Sequence, residues 1–348
     1  MRKTAPVAVR SAAFAIGLAW LCTVGAQSPA VSPKEDVQAK QQAAQQIAQP
    51  LNNQPLWKEI RSGEKQYTSV VGRETNVLIQ PQGQTWRAAR VPLATIGGFL
   101  VAMTLLAIAV FYVWRGPIRT HGAPTGRMIE RFTLIERSVH WAMAITFVTL
   151  GITGLILSFG KAVLLPLLGY TIFSWLAIIG KNLHNFVGPI MVVLLPIMIV
   201  MFLRANLFRS YDWAWLKALG GMISGKHVPA GKANAGQKIL FWLMVVGIGI
   251  TLAVTGLILD FPNFNQSRET MQIANVIHMI AGILGVILVM GHIYLGTIGM
   301  AGALDAMKTG YVDETWAKEH HEYWYNDVKS GRAAGKGDAP SVMQQPAV

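Results

Sequence analysis

Five runs of this chain carry no Asp, Glu, Lys or Arg: 91–114, 138–160, 182–203, 239–259 and 270–304. Each can cross a hydrocarbon core, which takes roughly 20 apolar residues. Inside such a core every backbone polar group must be paired by the chain itself, so segments of this length and character fold as helices. Composition agrees, with 52% hydrophobic and only 14% charged residues; soluble domains carry about a quarter charged. The formal charge is +13. Its basic residues are spread over segments flanking the apolar runs and are not gathered on one soluble face. That excludes a nucleic-acid surface and points to basic loops beside a membrane.

Charge also orients the runs. Segment 115–137 carries Arg115, Arg119, Arg127, Arg131 and Arg137, and 204–238 carries Arg204, Arg209, Lys217, Lys226, Lys232 and Lys238 against one acid, Asp212. Both are expected on the cytoplasmic side. Five crossings put them there together. A sixth apolar run, 162–180, contains Pro166 and Gly169. If it also crossed, the two basic segments would fall on opposite sides, so it is expected as an interfacial or re-entrant outer loop.

The N-terminus reads as an export signal. Arg2, Lys3 and Arg10 precede an apolar run that ends at Val24, Gly25 and Ala26, the order of a cleavable signal peptide over 1–26. The single cysteine, Cys22, lies inside it. Its removal leaves no thiol for iron–sulfur ligation, thioether-attached haem, disulfides or thiol catalysis. Residues 27–90 form a polar exported segment, with a short helix expected at 35–48. An extra transmembrane helix at 91–114, a core over 115–304 and a cytoplasmic tail over 305–348 follow. The protein is expected in a bacterial inner membrane, with its mature N-terminus periplasmic.

Four of the eight histidines lie in the apolar runs. His140 opens the second at its inner end, His184 opens the third at its outer end, and His278 and His292 lie in the outer and inner parts of the fifth. Ionisable groups at such depth are expensive and mark function by default. At about 100° and 1.5 Å per residue, His278 and His292 fall roughly 40° apart in azimuth and roughly 21 Å apart along one helix. Gly282 and Gly285 lie between them on nearly the same face, where a flat group can come close. Topology supplies a partner at each level: His184 with His278 outside, His140 with His292 inside. Neutral imidazole is the usual axial ligand of noncovalently held b haem and needs no cysteine. A di-iron site would need carboxylates that the runs lack. A transporter using the histidines as proton relays and a redox-silent membrane anchor are the rival classes. His121, His227, His320 and His321 fall in polar segments, and Trp141, Trp316 and Trp324 are expected as interfacial anchors.

Several stretches carry a resemblance. They are Arg131-Phe-Thr-Leu-Ile-Glu-Arg137-Ser-Val-His140-Trp141, Gly180-Lys-Asn-Leu-His184-Asn-Phe-Val-Gly188, Asn234-Ala-Gly236-Gln237-Lys238, His278 with Ala281-Gly282, His292, and Trp316-Ala-Lys-Glu-His320-His321 leading to Trp324-Tyr325. In this order, over about 131–326, the chain resembles the gamma (cytochrome b) subunits of respiratory membrane-bound formate dehydrogenases. The resemblance implies an all-α integral membrane protein with a four-helix cytochrome b core, here with one additional N-terminal transmembrane helix. It implies two haem b groups, the outer on His184 and His278 and the inner on His140 and His292. It also implies a quinone site near the inner haem, for which Asn234, Gly236 and Gln237 are candidates, although Asn-Ala-Gly before a helix is equally an ordinary capping turn. Ala233 stands where an aromatic residue is expected. Arg137, one turn before His140, is a candidate contact for a haem propionate.

The function so implied is to pass electrons from an exported iron–sulfur subunit, fed by a molybdenum or tungsten formate dehydrogenase subunit, to quinone near the cytoplasmic face. A cytochrome b subunit of a nickel–iron hydrogenase or another exported dehydrogenase would present the same histidines. The exported segment and extra helix lie outside the resemblance and are expected to help dock an exported partner.

Overall fold

A computed structural model describes residues 81–221, 224, 225, 227–332 and 342–344, with Val37, Lys40, Gln41, Ala44, Ala48 and Ser62 before them. The signal peptide at 1–26 and most of the exported segment lie outside the described residues. Val37, Lys40, Gln41, Ala44 and Ala48 are helical, within the stretch where a short helix was expected. The chain divides into two compact units, 1–93 with 261–276, and 94–260 with 277–348. In the first, Arg90 Nε donates to Asn275 Oδ1 at 3.3 Å. All four intramembrane histidines belong to the second.

The protein is an all-α integral membrane protein. Four continuous helical stretches are long and apolar enough to cross a membrane: Trp86–Arg115, Leu134–Asn206, Ala235–Asp260 and Arg268–Gly299. The first is the added helix α1 (Pro81–Arg115), which starts earlier than the apolar run that announced it. The second is α2 (Leu134–Leu203), whose only non-helical residue is Gly169 at φ 73° and ψ 172°. A left-handed φ of this kind is cheap only for glycine. There the chain reverses. Thr153 meets His184, and Cβ positions built on Gly160 and Gly180 fall against Phe173 and Ile156. These contacts define two antiparallel arms, 134–168 and 170–203.

The segment 162–180 is therefore not a loop. It forms the ends of both arms, because a long apolar run with one breaker satisfies its backbone best as helix right up to that breaker. The first arm, at about 1.5 Å per residue, is roughly 52 Å long, well beyond a hydrocarbon core of about 30 Å.

The remaining core helices are α4 (Ala235–Leu240), a π-helical stretch Phe241–Ile248, α5 (Gly249–Asp260), and α6 (Arg268–Tyr294), which runs on as a second π stretch, Leu295–Gly299. A short α3 (Asp212–Lys217) precedes α4. Its buried Asp212 takes Lys238 Nζ at 2.7 Å. Two clusters hold the second unit. One lies among the core helices: Met143, Phe147, Met191, Leu195, Met244, Ile248, Leu252 and Ala281.

The other makes the expected tail a folded module. It comprises α7 (Ala303–Lys308), β2 (Tyr311–Asp313), α8 (Glu314–His320) and α9 (Glu322–Lys329), packed on β1 (Arg127–Glu130). The strand β1 pairs antiparallel with β2 and with β3 (Val342–Gln344). Ile129, Ala306, Val312, Trp316, Ala317 and Trp324 form its core. Trp316 and Trp324 are thus buried, not interfacial anchors: an aromatic ring that finds an apolar pocket gains more than one left at the surface.

Candidate functional site

The site is built on three of the core's helical arms. Helix α2 begins at a reciprocal cap in which Thr133 Oγ1 accepts from Glu136 N and Glu136 returns to Thr133 N. His140 follows on that first arm, His184 stands on the second, and His278 and His292 share α6. The structure brings them together as two facing pairs. The His140 and His292 rings are 6.1 Å apart between centroids, at 64° between planes. The His184 and His278 rings are also 6.1 Å apart, at 74°.

That spacing fits one metal ion held between two imidazoles. A metal–nitrogen bond of about 2 Å plus about 1 Å from nitrogen to ring centre, taken twice, gives roughly 6 Å. A bare ion in a pocket of many ligands does not fit: among the described residues no three His, Cys, Asp or Glu side chains gather. Gly282, one turn beyond His278, has no atom within 4 Å of where a Cβ would stand. Gly285, on the same face, is closed off by Met244, Phe147 and Ile248 at 3.3 to 3.4 Å. So the face between the two histidines of α6 is open beside His278 and filled by the packed apolar cluster further on. Paired imidazoles, an open flank and an apolar layer suit a flat, axially ligated group such as haem.

The two pairs are held differently. His184 Nδ1 lies 2.9 Å from Thr153 Oγ1, and that hydroxyl donates to Thr149 O at 2.8 Å. His278 Nδ1 lies 2.9 Å from Thr255 Oγ1, which donates to Thr251 O at 2.6 Å. A hydroxyl has one hydrogen. With it committed to a carbonyl, each threonine oxygen accepts Nδ1–H, leaving Nε2 with its lone pair. Sequence reasoning missed both threonines, although the signal is present as a repeat. Residues 149–159 read Thr-Leu-Gly-Ile-Thr-Gly-Leu-Ile-Leu-Ser-Phe, and 251–261 read Thr-Leu-Ala-Val-Thr-Gly-Leu-Ile-Leu-Asp-Phe. At the other level His140 Nδ1 is buried with no hydrogen-bond partner among the described residues.

The remaining candidates lie near the His140 end of the chain's path. Asn234 and Gln237 make a capping box at the start of α4: Gln237 N donates to Asn234 Oδ1 at 2.9 Å, and Asn234 N to Gln237 Oε1 at 3.0 Å. Their amide NH₂ groups are not used in that box. Gly236 packs under Trp215, where an added Cβ would stand 2.9 Å from the ring. Arg137 Nη1 donates to Lys308 O at 2.9 Å, at the end of α7, and Trp141 Nε1 donates to Met307 O at 2.9 Å. Both tie the His140 turn to the C-terminal module.

That module contains polar groups whose burial the sequence did not reveal. Arg131 is buried and donates to Lys232 O at 3.0 Å and to His321 Nε2 at 2.8 Å. His321 Nδ1 donates to Gly231 O at 2.6 Å, so the imidazole is neutral. Burial pushes Arg131 down to about 9, pushes His320 down to about 4, and holds His321 well below its ordinary value. Glu314 is held at about 2 by Lys329 at 2.6 Å, with Tyr325 and Arg127 also bonded to it. Together Arg131 and His321 grip the loop that leads into the Asn234 turn.

Comparison with known proteins gives a consistent set. The sequence model of prokaryotic cytochrome b561 matches residues 131–310. The nitrate-inducible formate dehydrogenase cytochrome b556(Fdn) subunit of Escherichia coli K12 is 31% identical over 218 residues, 60% of this chain and 94% of that one. The E. coli K12 formate dehydrogenase cytochrome b556(fdo) subunit is 30% identical over 210 residues, 58% and 93% of the two chains. The formate dehydrogenase cytochrome b556 subunit of Haemophilus influenzae is 29% identical over 210 residues, covering 57% and 83%.

Proposed function

The chain belongs to the prokaryotic cytochrome b561 family, and from that premise we propose that it is the membrane cytochrome b subunit of a respiratory formate dehydrogenase complex. It carries electrons from an exported iron–sulfur subunit, itself served by a molybdenum or tungsten catalytic subunit, to quinone. The observation that carries this reading is the pair of facing histidine couples, each at 6.1 Å, on three helical arms. The names of the relatives, all formate dehydrogenase subunits, supply the partner.

Each couple holds one b haem: His184 with His278, and His140 with His292. Haem b supplies one-electron chemistry when bound, and the protein sets its ligands, spacing and dielectric. Met143, Phe147, Met191, Leu195, Met244 and Ile248 fill the layer between the couples and exclude water from it. The basic segments 115–137 and 204–238 both lead into or out of the helix ends nearest His140 and His292. Ile118 N donates to Gly299 O at 2.9 Å, and Lys238 pairs with Asp212. This supports a cytoplasmic His140/His292 end and an inner-membrane location with electrons entering at the His184/His278 end.

Quinone then binds near the Asn234 turn. The Asn234 and Gln237 amide NH₂ groups, left over from the capping box, donate to its carbonyl oxygens, Gly236 lets the Trp215 ring pack under the turn and hold its shape, and His292 belongs to the couple at this end. Arg137 contributes a charge for a propionate in addition to its bond to Lys308 O.

The test is a reduced-minus-oxidised spectrum of the purified chain with haem counted per polypeptide, repeated for His184→Ala and His292→Ala, followed by formate-driven quinone reduction in membranes. Two b haems, a different one lost in each variant, and formate-dependent quinol formation are expected. A well-folded wild-type chain with no Soret band overturns the redox reading. Two haems that formate does not reduce assign the chain to another dehydrogenase. For Arg137, replacement by Gln is expected to shift the midpoint of the His140/His292 haem; an unchanged midpoint and occupancy remove it from the site.

A further inference from the structure

The repeat at 149–159 and 251–261 places the same two residues against the two histidines of one couple. Thr153 and Thr255 each take an imidazole Nδ1–H at 2.9 Å. The glycine that follows each lies against the same ring. A Cβ at Gly154 would stand 3.5 Å from His184 Cε1, and one at Gly256 would stand 3.4 Å from His278 Cε1. The first threonine belongs to the first arm of α2 and clamps a histidine of the second; the second belongs to α5 and clamps a histidine of α6. Four helical segments thus converge on one site with approximate twofold likeness.

Threonine inside a helix ordinarily returns its hydroxyl to the carbonyl one turn back, and this alone is a structural habit. Here that bond has a second consequence. With its hydrogen spent on Thr149 O or Thr251 O, the oxygen can only accept. The imidazole is fixed with Nδ1 protonated and Nε2 free, and its ring plane is fixed too. A ring nitrogen that donates its proton in this way becomes a stronger ligand through the other nitrogen. Stronger donation favours the more highly charged ferric state.

We propose that Thr153 and Thr255 are positioning residues for the metal at the His184/His278 site and lower its reduction potential, an inference that rests on the haem reading above. The other couple has no matching pair of threonines among the described residues, and His140 Nδ1 is buried without a partner. The effect is therefore confined to one of the two sites.

The experiment is a redox titration of the purified, membrane-extracted protein with both b components resolved, together with haem content and the low-spin ferric resonance signals. It compares wild type with Thr153→Val, Thr255→Val, the double variant, and Thr153→Ser with Thr255→Ser. Valine keeps the shape and removes the acceptor; serine keeps the hydroxyl. The double valine variant is expected to shift the ferric–ferrous equilibrium of the His184/His278 haem by roughly tenfold towards ferrous, about 59 mV upward for one electron. Each single variant should give part of that shift, the serine variants should stay at wild type, and the other haem should not move. Loss of that one haem in the valine variants with retention in the serine variants would equally support the assignment. Two retained haems with unchanged potentials and signals in the double valine variant would reduce the threonines to helix-internal bonds and overturn the inference while leaving the haem reading intact. Equal loss in valine and serine variants would also overturn it. Absence of haem from wild type, or its insensitivity to His184→Ala, would remove the haem reading itself and the inference with it.

Discussion

The two histidine couples share one spacing and little else. His184 and His278 are fixed from within the helices, by threonines that a repeated sequence places one step from a glycine. His140 and His292 have no such clamps, and their surroundings are irregular. Two π-helical stretches, Phe241–Ile248 and Leu295–Gly299, lie on the helices that border that end, and His292 comes three residues before the second. Such stretches are rare and concentrate at functional sites. Support there comes from outside the bundle, through Arg137 and Trp141 bonded to the carbonyls of Lys308 and Met307. One level is thus held by its own helices. The other is tied to a polar module, as suits the end proposed to meet quinone.

The largest effect expected from this contrast is all-or-none. His278→Ala removes one haem of two and leaves the other's midpoint unchanged, because the apolar layer and the helices carry the rest of the fold. His140→Ala does the reverse. Haem counted per chain checks both; a variant losing both haems would show that the levels are not independent.

Next comes the module. Trp316 is 5% exposed and packs against Arg131 and His321. Trp316→Ala should cost the module about 3–5 kcal/mol, the usual range for a buried aromatic. If the module supports only the nearer couple, the midpoint and resonance signals of the His140/His292 haem shift or broaden while those of the other stay sharp. Equal disturbance of both would erase the distinction.

A smaller effect follows from pH. His320 is moved from the ordinary 6.5 down to about 4 by burial, and burial also holds His321 well below its ordinary value. The unfolded segment takes up protons as pH falls through about 6.5, whereas the folded one does not until about 4. The stabilisation is therefore complete above pH 6.5 and is lost progressively between 6.5 and 4. Glu314, lowered from 4.5 to about 2 by Lys329 and its other donors, adds a second loss as pH falls from 4.5 towards 2. Hydrogen exchange over 311–329, corrected for intrinsic rate, should show opening becoming easier across the upper window, with His320→Gln flattening part of it. The helices around His184 and His278 should show no such dependence.

The histidine couples were legible because depth and helical period are properties of sequence. A charge-free run fixes where a histidine lies across the membrane, and a separation of 14 residues, from His278 to His292, fixes its face. What escaped depended on neighbours. Whether 162–180 bends as a loop or as two helix ends turned on the backbone of one residue, Gly169. Trp316 and Trp324 read as interfacial anchors and His321 as part of a polar segment because the run holding them is polar on average, and only tertiary contact shows which of its side chains turn inward. The threonines were visible as a repeat, yet a threonine beside a glycine has no meaning until a histidine is known to stand opposite.

The finest test separates two of the glycines of α6, Gly282 and Gly285. Gly285 lies in the packed layer, where an added methyl meets Met244, Phe147 and Ile248 at 3.3 to 3.4 Å. Gly285→Ala must push these side chains apart at a cost of about 1–3 kcal/mol, offset by up to about 1 kcal/mol gained from helix propensity. Its effect is on thermal stability, shared by both levels. Gly282 meets nothing within 4 Å. There alanine should leave the protein as stable as wild type or slightly more so. A larger Gly282→Leu should leave the fold standing but lower occupancy of the His184/His278 haem, because Gly282 is one turn from His278. Thermal unfolding and haem content, measured on the same preparations, separate the outcomes. If leucine at 282 leaves both haems in place, the open flank is not where a flat group lies. If it removes the His140/His292 haem instead, the contrast between a self-held level and a module-held level is drawn at the wrong place on α6.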